Sequence, residues 1–143
     1  MLKSCPYCHR IHDSLYKCAA KTAVMRKRQN RLTTDADRFR RTNAWTSKSM
    51  AVRERDNHMC LCCKAQLIGT DRQIETVGLS VHHITPIEED YELRLDETNL
   101  ITVCKRHHEL CEANKITRDM QRLLVEKSIE ERDAKISALV VTI

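Results

Sequence analysis

The 143 residues leave room for one domain, or for one small domain with an appendage. Aromatic residues (Tyr7, Tyr16, Phe39, Trp45, Tyr91) make up only 3% of the chain, a thin supply of large core side chains, whereas eight cysteines are available. The net charge of +5 is uneven: residues 1–58 hold 14 Lys/Arg against 5 Asp/Glu, and residues 59–143 hold 11 against 15. Small domains with limited cores usually recruit disulfides or metals. No apolar run is long enough to span a membrane, and Met1-Leu2-Lys3-Ser4 opens no signal stretch. The expectation is therefore a cytoplasmic protein with reduced thiols, whose closely spaced cysteines bind metal rather than pair as disulfides.

Four stretches follow in chain order. Residues 1–20 form a Cys/His knuckle with Cys5, Cys8, Cys18 and either His12 or His9. His12 is the better fourth ligand, because adjacent Cys8 and His9 would strain a single tetrahedral site. Residues 21–36 read as a basic linker or exposed helix. The positive charge is densest over residues 21–41, and Arg26, Lys27, Arg28 and Arg31 are its candidate contacts to a polyanion. A solvated helix face explains most such runs, but beside a candidate catalytic site nucleic-acid binding is the favoured reading.

A main domain is expected over residues 37–115. Residues 37–56 look helical, with Phe39, Trp45, Met50 and Val52 as apolar anchors and Thr46 or Ser47 starting a second segment. Residues 74–84 contain β-compatible pieces with Gly78 at a turn or bulge. Pro86 opens an acidic loop (Glu88, Glu89, Asp90, Glu92, Asp96, Glu97), read as solvated rather than as a metal site. A short strand over residues 100–103 and a short helix over 105–112 come next. Residues 116–143 form a helical extension capped by Thr117, with Met120, Leu123 and Leu124 on one face. The apolar tail, residues 137–143, is too short to assign.

Two sets of metal-binding residues interleave in the main domain. Cys60 and Cys63 form a C-x-x-C pair, and Cys104 and His107 a C-x-x-H pair, the spacing of a closed tetrahedral zinc site. The second set is His82, His83, Asn99 and His108. On a helix, His107 and His108 project about 100° apart and cannot easily serve one ion. Cys111, four residues beyond His107, is a rival fourth ligand or a small buried residue; Cys62 is unassigned. A metal staple woven through a His/Asn/His cluster points to a metal-dependent hydrolase.

Arg55-Asp56-x-x-x-Cys60-x-x-Cys63, Val81-His82-His83-Ile84-x-Pro86 and Asn99-Leu100-x-x-x-Cys104-x-x-His107-His108 together resemble the HNH endonucleases, most of all small bacteriophage HNH proteins. Trp45 ahead of Arg55-Asp56 resembles the helix those proteins place before the first knuckle. The resemblance implies an α+β fold: a zinc-stapled ββα-metal core with flanking helices, here preceded by the N-terminal knuckle. It implies His83 as general base, His82 and His108 as ligands of one catalytic divalent cation (Mg, Mn, Ni or Zn), and Asn99 as the residue holding loop and base in place. The family more often has cysteine at the His107 position, so this chain would have a Cys₃His site and, with the knuckle, two structural zinc ions.

The implied substrate is DNA, and the phage likeness makes the bacterial host cytoplasm the compartment and a terminase a conceivable partner. Phosphodiester hydrolysis suits these residue types: imidazole, with an ordinary pKa near 6.5, can deprotonate water near neutral pH, and a cation can stabilise charge on the phosphate and leaving oxygen. The competing readings are a DNA-binding protein with an inert nuclease core and an assembly factor whose metals only stabilise the fold.

Overall fold

Over residues 1–29 the buried side chains are Cys5 and Cys18. The structure, a computed structural model, describes residues 1–31 and 34–141, and of Asn30, Arg31 and Val141 the backbone alone. It divides into two units, Met1–Thr42 and Asn43–Ile143.

In the first unit, β1 (Leu2–Ser4) pairs antiparallel with β2 (Ile11–Asp13), placing Lys3 opposite His12. Leu2 and Ile11 are 71% and 72% exposed, so apolar burial does not hold this hairpin together, while Cys5 and Cys18 are buried. A lone two-stranded hairpin is marginal in water; this one needs another tie. The turn between the strands is tight: the Cys5 N–H donates to the Arg10 carbonyl and the His9 N–H to the Cys5 carbonyl, both at 2.9 Å, with His9 at φ 57°. Helix α1 (Ala19–Arg31) follows, exposed from residue 21 to residue 29, so that stretch is helix rather than linker. Helix α2 (Asp35–Phe39) starts at Thr34, whose hydroxyl oxygen accepts from the Asp37 N–H at 3.1 Å, and it buries Ala36 and Phe39.

The second unit is built on one hairpin. Strand β3 (Leu79–His83) pairs antiparallel with β4 (Leu100–Cys104), setting His82 opposite Ile101 and His83 opposite Leu100. All five residues of β4 are buried, because helices α3 (Asn43–Arg55), α4 (Leu61–Lys64), α5 (Lys105–Glu112) and α6 (Arg118–Val141) pack around it. Its core joins Leu61, Ile84, Ile101, Val103, Ile116, Leu124 and Val125 with five cysteines. Cysteine takes the space that larger aromatics fill in better-supplied cores.

A buried polar network ties these elements together. Arg55 forms a fork with Asp56 (Nε to Oδ1 2.7 Å, Nη2 to Oδ2 2.9 Å) and also donates to the Glu97 and Leu100 carbonyls, both at 2.8 Å. Asp56 accepts in addition from the Thr102 N–H at 3.0 Å and the Ser128 hydroxyl at 2.8 Å. Every strong donor aimed at this carboxylate arises from a different element, so the pair fixes α3, β4 and α6 in one register.

Three sequence expectations change. Helix α3 begins at Asn43, ahead of Thr46 and Ser47, and Met50 is 56% exposed rather than anchored. In α6 the buried face is Gln121, Leu124, Val125 and Ser128, while Met120 and Leu123 are 39% and 43% exposed. Polar partners decide this: Gln121 Nε2 donates to the Ile116 carbonyl at 2.9 Å, and Ser128 bonds Asp56. The tail is helical as far as Val141; residues 142 and 143 lie outside the described residues, as do Leu32 and Thr33 of the expected linker.

Candidate active site and metal centres

Antiparallel pairing and helical geometry sort the histidines. Successive side chains of a strand leave on opposite faces, so His82 and His83 diverge; on α5, His107 and His108 diverge by about 100°. Each neighbour pair is thereby split between two environments.

His107 turns toward the cysteines. Its Nδ1 lies 3.4 Å from Cys60 Sγ and 3.3 Å from both Cys63 Sγ and Cys104 Sγ, and Cys63 and Cys104 are 4.0 Å apart. Ligands about 2.0–2.3 Å from a central ion would stand roughly 3.5–3.8 Å apart in a tetrahedron, so four buried donors with these spacings fit a closed metal site. The other ring nitrogen, Nε2, lies 3.2 Å from the Ile68 carbonyl, a partner that turns Nδ1 toward the sulfurs. Gly69, next to Ile68, has φ +91°, a backbone conformation that residues with a Cβ rarely adopt. Hydrogen bonding, foremost from Cys62, holds the Cys60 thiol down to about 4, which favours the thiolate. Cys111 is not in this group; it lies in the core beside Cys62, which its neighbours and burial push up.

Cys5, Cys8, His12 and Cys18 form a second such group in the first unit. Cys5 Sγ and Cys18 Sγ are 3.8 Å apart and Cys8 Sγ is 3.6 Å from His12 Nε2, while His12 Nδ1 meets the Asp13 carbonyl at 3.2 Å. His9 stands outside it, in the left-handed turn.

His108 turns the other way and meets His82 edge-on, ring centroids 4.9 Å apart. Glu112 joins them: His82, His108 and Glu112 can bring one ligand atom each within 4.8 Å of one another, and His108 Nδ1 is 3.6 Å from Glu112 Oε1. Burial, followed by the charges of His108, His83 and Arg118, holds the His82 imidazole down to about 4, so it is neutral and able to ligate at pH 7. Two imidazoles and a carboxylate, only half-buried, make a donor set suited to a divalent cation with room for further ligands. Motif spacing alone does not single out Glu112; its place four residues after His108 on a helix is the signal that would.

His83, buried, lies on the other side of β3. Its Nε2 is 3.1 Å from the Arg94 carbonyl, which requires the proton on Nε2 and puts the lone pair of the neutral ring on Nδ1. Trp45 stacks on the ring, centroids 4.7 Å apart and planes inclined by 22°.

Asn99 clamps the chain around His83. Its Oδ1 accepts from the Thr85 N–H at 2.7 Å, its Nδ2 donates to the Thr85 carbonyl at 3.0 Å and to the Leu93 carbonyl at 3.3 Å, and its own carbonyl accepts from the Ile84 N–H at 2.9 Å. The exit of β3 and the 3₁₀ turn Glu92–Leu95 are thus tied to one side chain.

The knuckle, the β3–β4 hairpin and α5 up to Leu110 form one continuous segment, residues 60–110, and it matches the family model described as HNH endonuclease. Over that segment the chain is similar to the HNH family. In this segment the mixed helix and strand elements carry both the His/Asn/His set and a cysteine-rich knuckle. Among solved structures, the chain is similar to the HNH endonuclease of the deep-sea thermophilic bacteriophage GVE2, crystallised with a manganese ion. That likeness has 27% identity, covers 71% of this chain and 98% of that one, and has a TM-score of 0.45. No curated protein matches the chain.

Of the basic residues expected to touch DNA, Arg26, Lys27 and Arg28 are exposed on α1; the side chain of Arg31 lies outside the described ones. Among the described residues, no helix is long and apolar enough to cross a membrane.

Proposed function

We propose that this chain is a metal-dependent endonuclease that hydrolyses DNA phosphodiester bonds, with His83 as general base. The observation that supports this most is the division of labour around β3: His83 is tied through Nε2 to the Arg94 carbonyl, while His82, His108 and Glu112 gather as a separate donor set. With Nε2 protonated, Nδ1 of His83 takes the proton from a water attacking phosphorus as the bond to the 3′ oxygen breaks. Asn99 keeps the Thr85 and Leu93 backbone in place, and so holds the turn that presents the Arg94 carbonyl to the base. His82 and His108, with Glu112 beside them, would hold one divalent cation: Mg²⁺, Mn²⁺, Ni²⁺ or Zn²⁺. Bound there, the ion supplies Lewis-acid stabilisation of charge on the phosphate and the leaving oxygen.

The two Cys₃His groups are assigned to structural zinc, Cys60, Cys63, Cys104 and His107 in the HNH unit and Cys5, Cys8, His12 and Cys18 in the N-terminal one. Thiolate and imidazole donors in closed, tetrahedral groups favour zinc over harder ions. Arg26, Lys27, Arg28 and Arg31 are assigned to the DNA phosphate backbone, since a helix that exposes its basic face suits a polyanion. Incubation of the purified protein with supercoiled plasmid and each of the four divalent ions tests the reading. Nicked or linear product that depends on the ion supports it, and an uncut plasmid with every ion leaves only a binding role.

A further inference from the structure

The chain's only tryptophan is stacked on the proposed base. A hydrogen bond from Nε2 to the Arg94 carbonyl orients the edge of the His83 ring. It does not fix the ring plane, because rotation about the outer side-chain torsion of a histidine is soft and broadly populated. An indole lying at 4.7 Å and 22° from the imidazole restrains that plane. It also sets a π face under a ring that becomes cationic once it has accepted a proton.

The helix that carries Trp45 is itself anchored. Ten residues on, at the other end of α3, Arg55 grips Asp56 and donates to the Glu97 and Leu100 carbonyls, on either side of Asn99 in sequence. The element that lays Trp45 on the base is thus bolted to the segment whose Asn99 holds the base's carbonyl partner. We infer that Trp45 is a positioning residue for general-base catalysis: it holds the plane of His83 in line with the attacking water, through the ring stack and without touching substrate or cation. This role rests on the nuclease reading.

Comparing Trp45→Phe with Trp45→Leu separates a flat aromatic platform from simple packing. Both retain apolar volume; only phenylalanine keeps a ring to stack. Plasmid cleavage should fall about 10- to 10²-fold in kcat for Trp45→Leu, as expected for a misaimed catalytic group, with KM almost unchanged. Trp45→Phe should recover most of the loss. A second readout needs no cleavage: the His83 ring-proton resonances should be shifted upfield by the indole ring current in the wild type, and that shift should vanish in Trp45→Leu. Equal kcat for the Phe and Leu variants, or no ring-current shift in the wild type, overturns the inference. If the wild type cuts with no ion, the nuclease reading fails, and the inferred catalytic role falls with it. A cutting wild type with equal Phe and Leu variants overturns the Trp45 role alone.

Discussion

Asn99 and Thr85 form a closed two-bond ring: the amide oxygen accepts from the Thr85 N–H at 2.7 Å while the amide nitrogen donates to the Thr85 carbonyl at 3.0 Å. Only a carboxamide offers a donor and an acceptor in this geometry. Asn99→Asp loses the donor and sets a charge against two carbonyl oxygens, and Asn99→Ala leaves buried backbone groups without partners. Each should cost about 1–3 kcal/mol of stability. Cleavage should fall through kcat more than through KM, because the turn carrying the Arg94 carbonyl is released. Urea unfolding and steady-state kinetics on the same preparations check both effects; a kcat equal to the wild type would remove Asn99 from the positioning of His83.

The Arg55–Asp56 pair should behave as a buried network rather than as a surface salt bridge. Both side chains are essentially inaccessible, at 1% and 0% exposure. Asp56→Ala leaves the guanidinium without its fork partner and the Thr102 N–H without this acceptor, and leaves the Ser128 hydroxyl only its longer bond to the Arg55 carbonyl at 3.4 Å. A loss of about 3–5 kcal/mol is expected, read as a shift of the denaturant midpoint of the second unit. A loss under about 1 kcal/mol would mean the network is as weak as an exposed pair.

The gathering of the Cys/His groups is largely legible in the sequence, because residue spacing is a local property. Cys60-x-x-Cys63 and Cys104-x-x-His107 lie on a tight knuckle and the start of a helix, so their separation along the chain nearly fixes their separation in space. The His107/His108 division follows from helical geometry alone. Partnerships formed across the fold are not legible. Nothing local identifies the Arg94 carbonyl as the partner of His83, eleven residues away, or Trp45 as its stacking partner. The inner face of α6 escapes for a related reason: apolar periodicity favours Met120 and Leu123, but buried hydrogen bonds to Ile116 and Asp56 turn Gln121 and Ser128 inward. Glu112 is readable by the four-residue helical spacing, yet in the sequence it is one acidic residue among many.

Two zinc ions per chain are expected in protein purified without added metal. Their loss should unfold the parts they hold, since binding free energy at such sites, on the order of 10 kcal/mol, is folding free energy. Cys104→Ser should unfold Asn43–Ile143, and Cys5→Ser should disorder only Met1–Thr42. Elemental analysis and proton NMR check this; a fully folded Cys104→Ser protein without zinc would contradict it.

The His82 imidazole gives a pH dependence with a definite sign. Its folded pKa, about 4, lies below its ordinary 6.5. Between those values the unfolded chain binds a proton that the folded chain does not, so stability rises with pH through this window. The His82 contribution should be complete above about pH 6.5 and lost progressively as pH falls toward about 4. Acid also releases zinc, so the comparison is wild type against His82→Leu. Without added catalytic cation, their difference in urea midpoint should change across this window; a constant difference would contradict the burial argument.

DNA affinity should be strongly salt-dependent if α1 follows the phosphate backbone. Replacing Arg26, Lys27, Arg28 and Arg31 with glutamine should flatten the plot of log affinity against log salt by about 0.9 for each phosphate no longer neutralised. An unchanged slope would return α1 to a solvated helix.

Plasmid cleavage across a metal series, by wild type, His83→Ala and His108→Ala, tests the central assignment most directly. His83→Ala should retain fold, zinc content and DNA affinity yet lose about 10²- to 10⁴-fold in rate, and no ion should restore it. His108→Ala removes a ligand, so high concentrations of Mn²⁺ should restore part of its activity. A His83→Ala protein that cuts as fast as the wild type, or a wild type that cuts with no ion at all, would contradict the account.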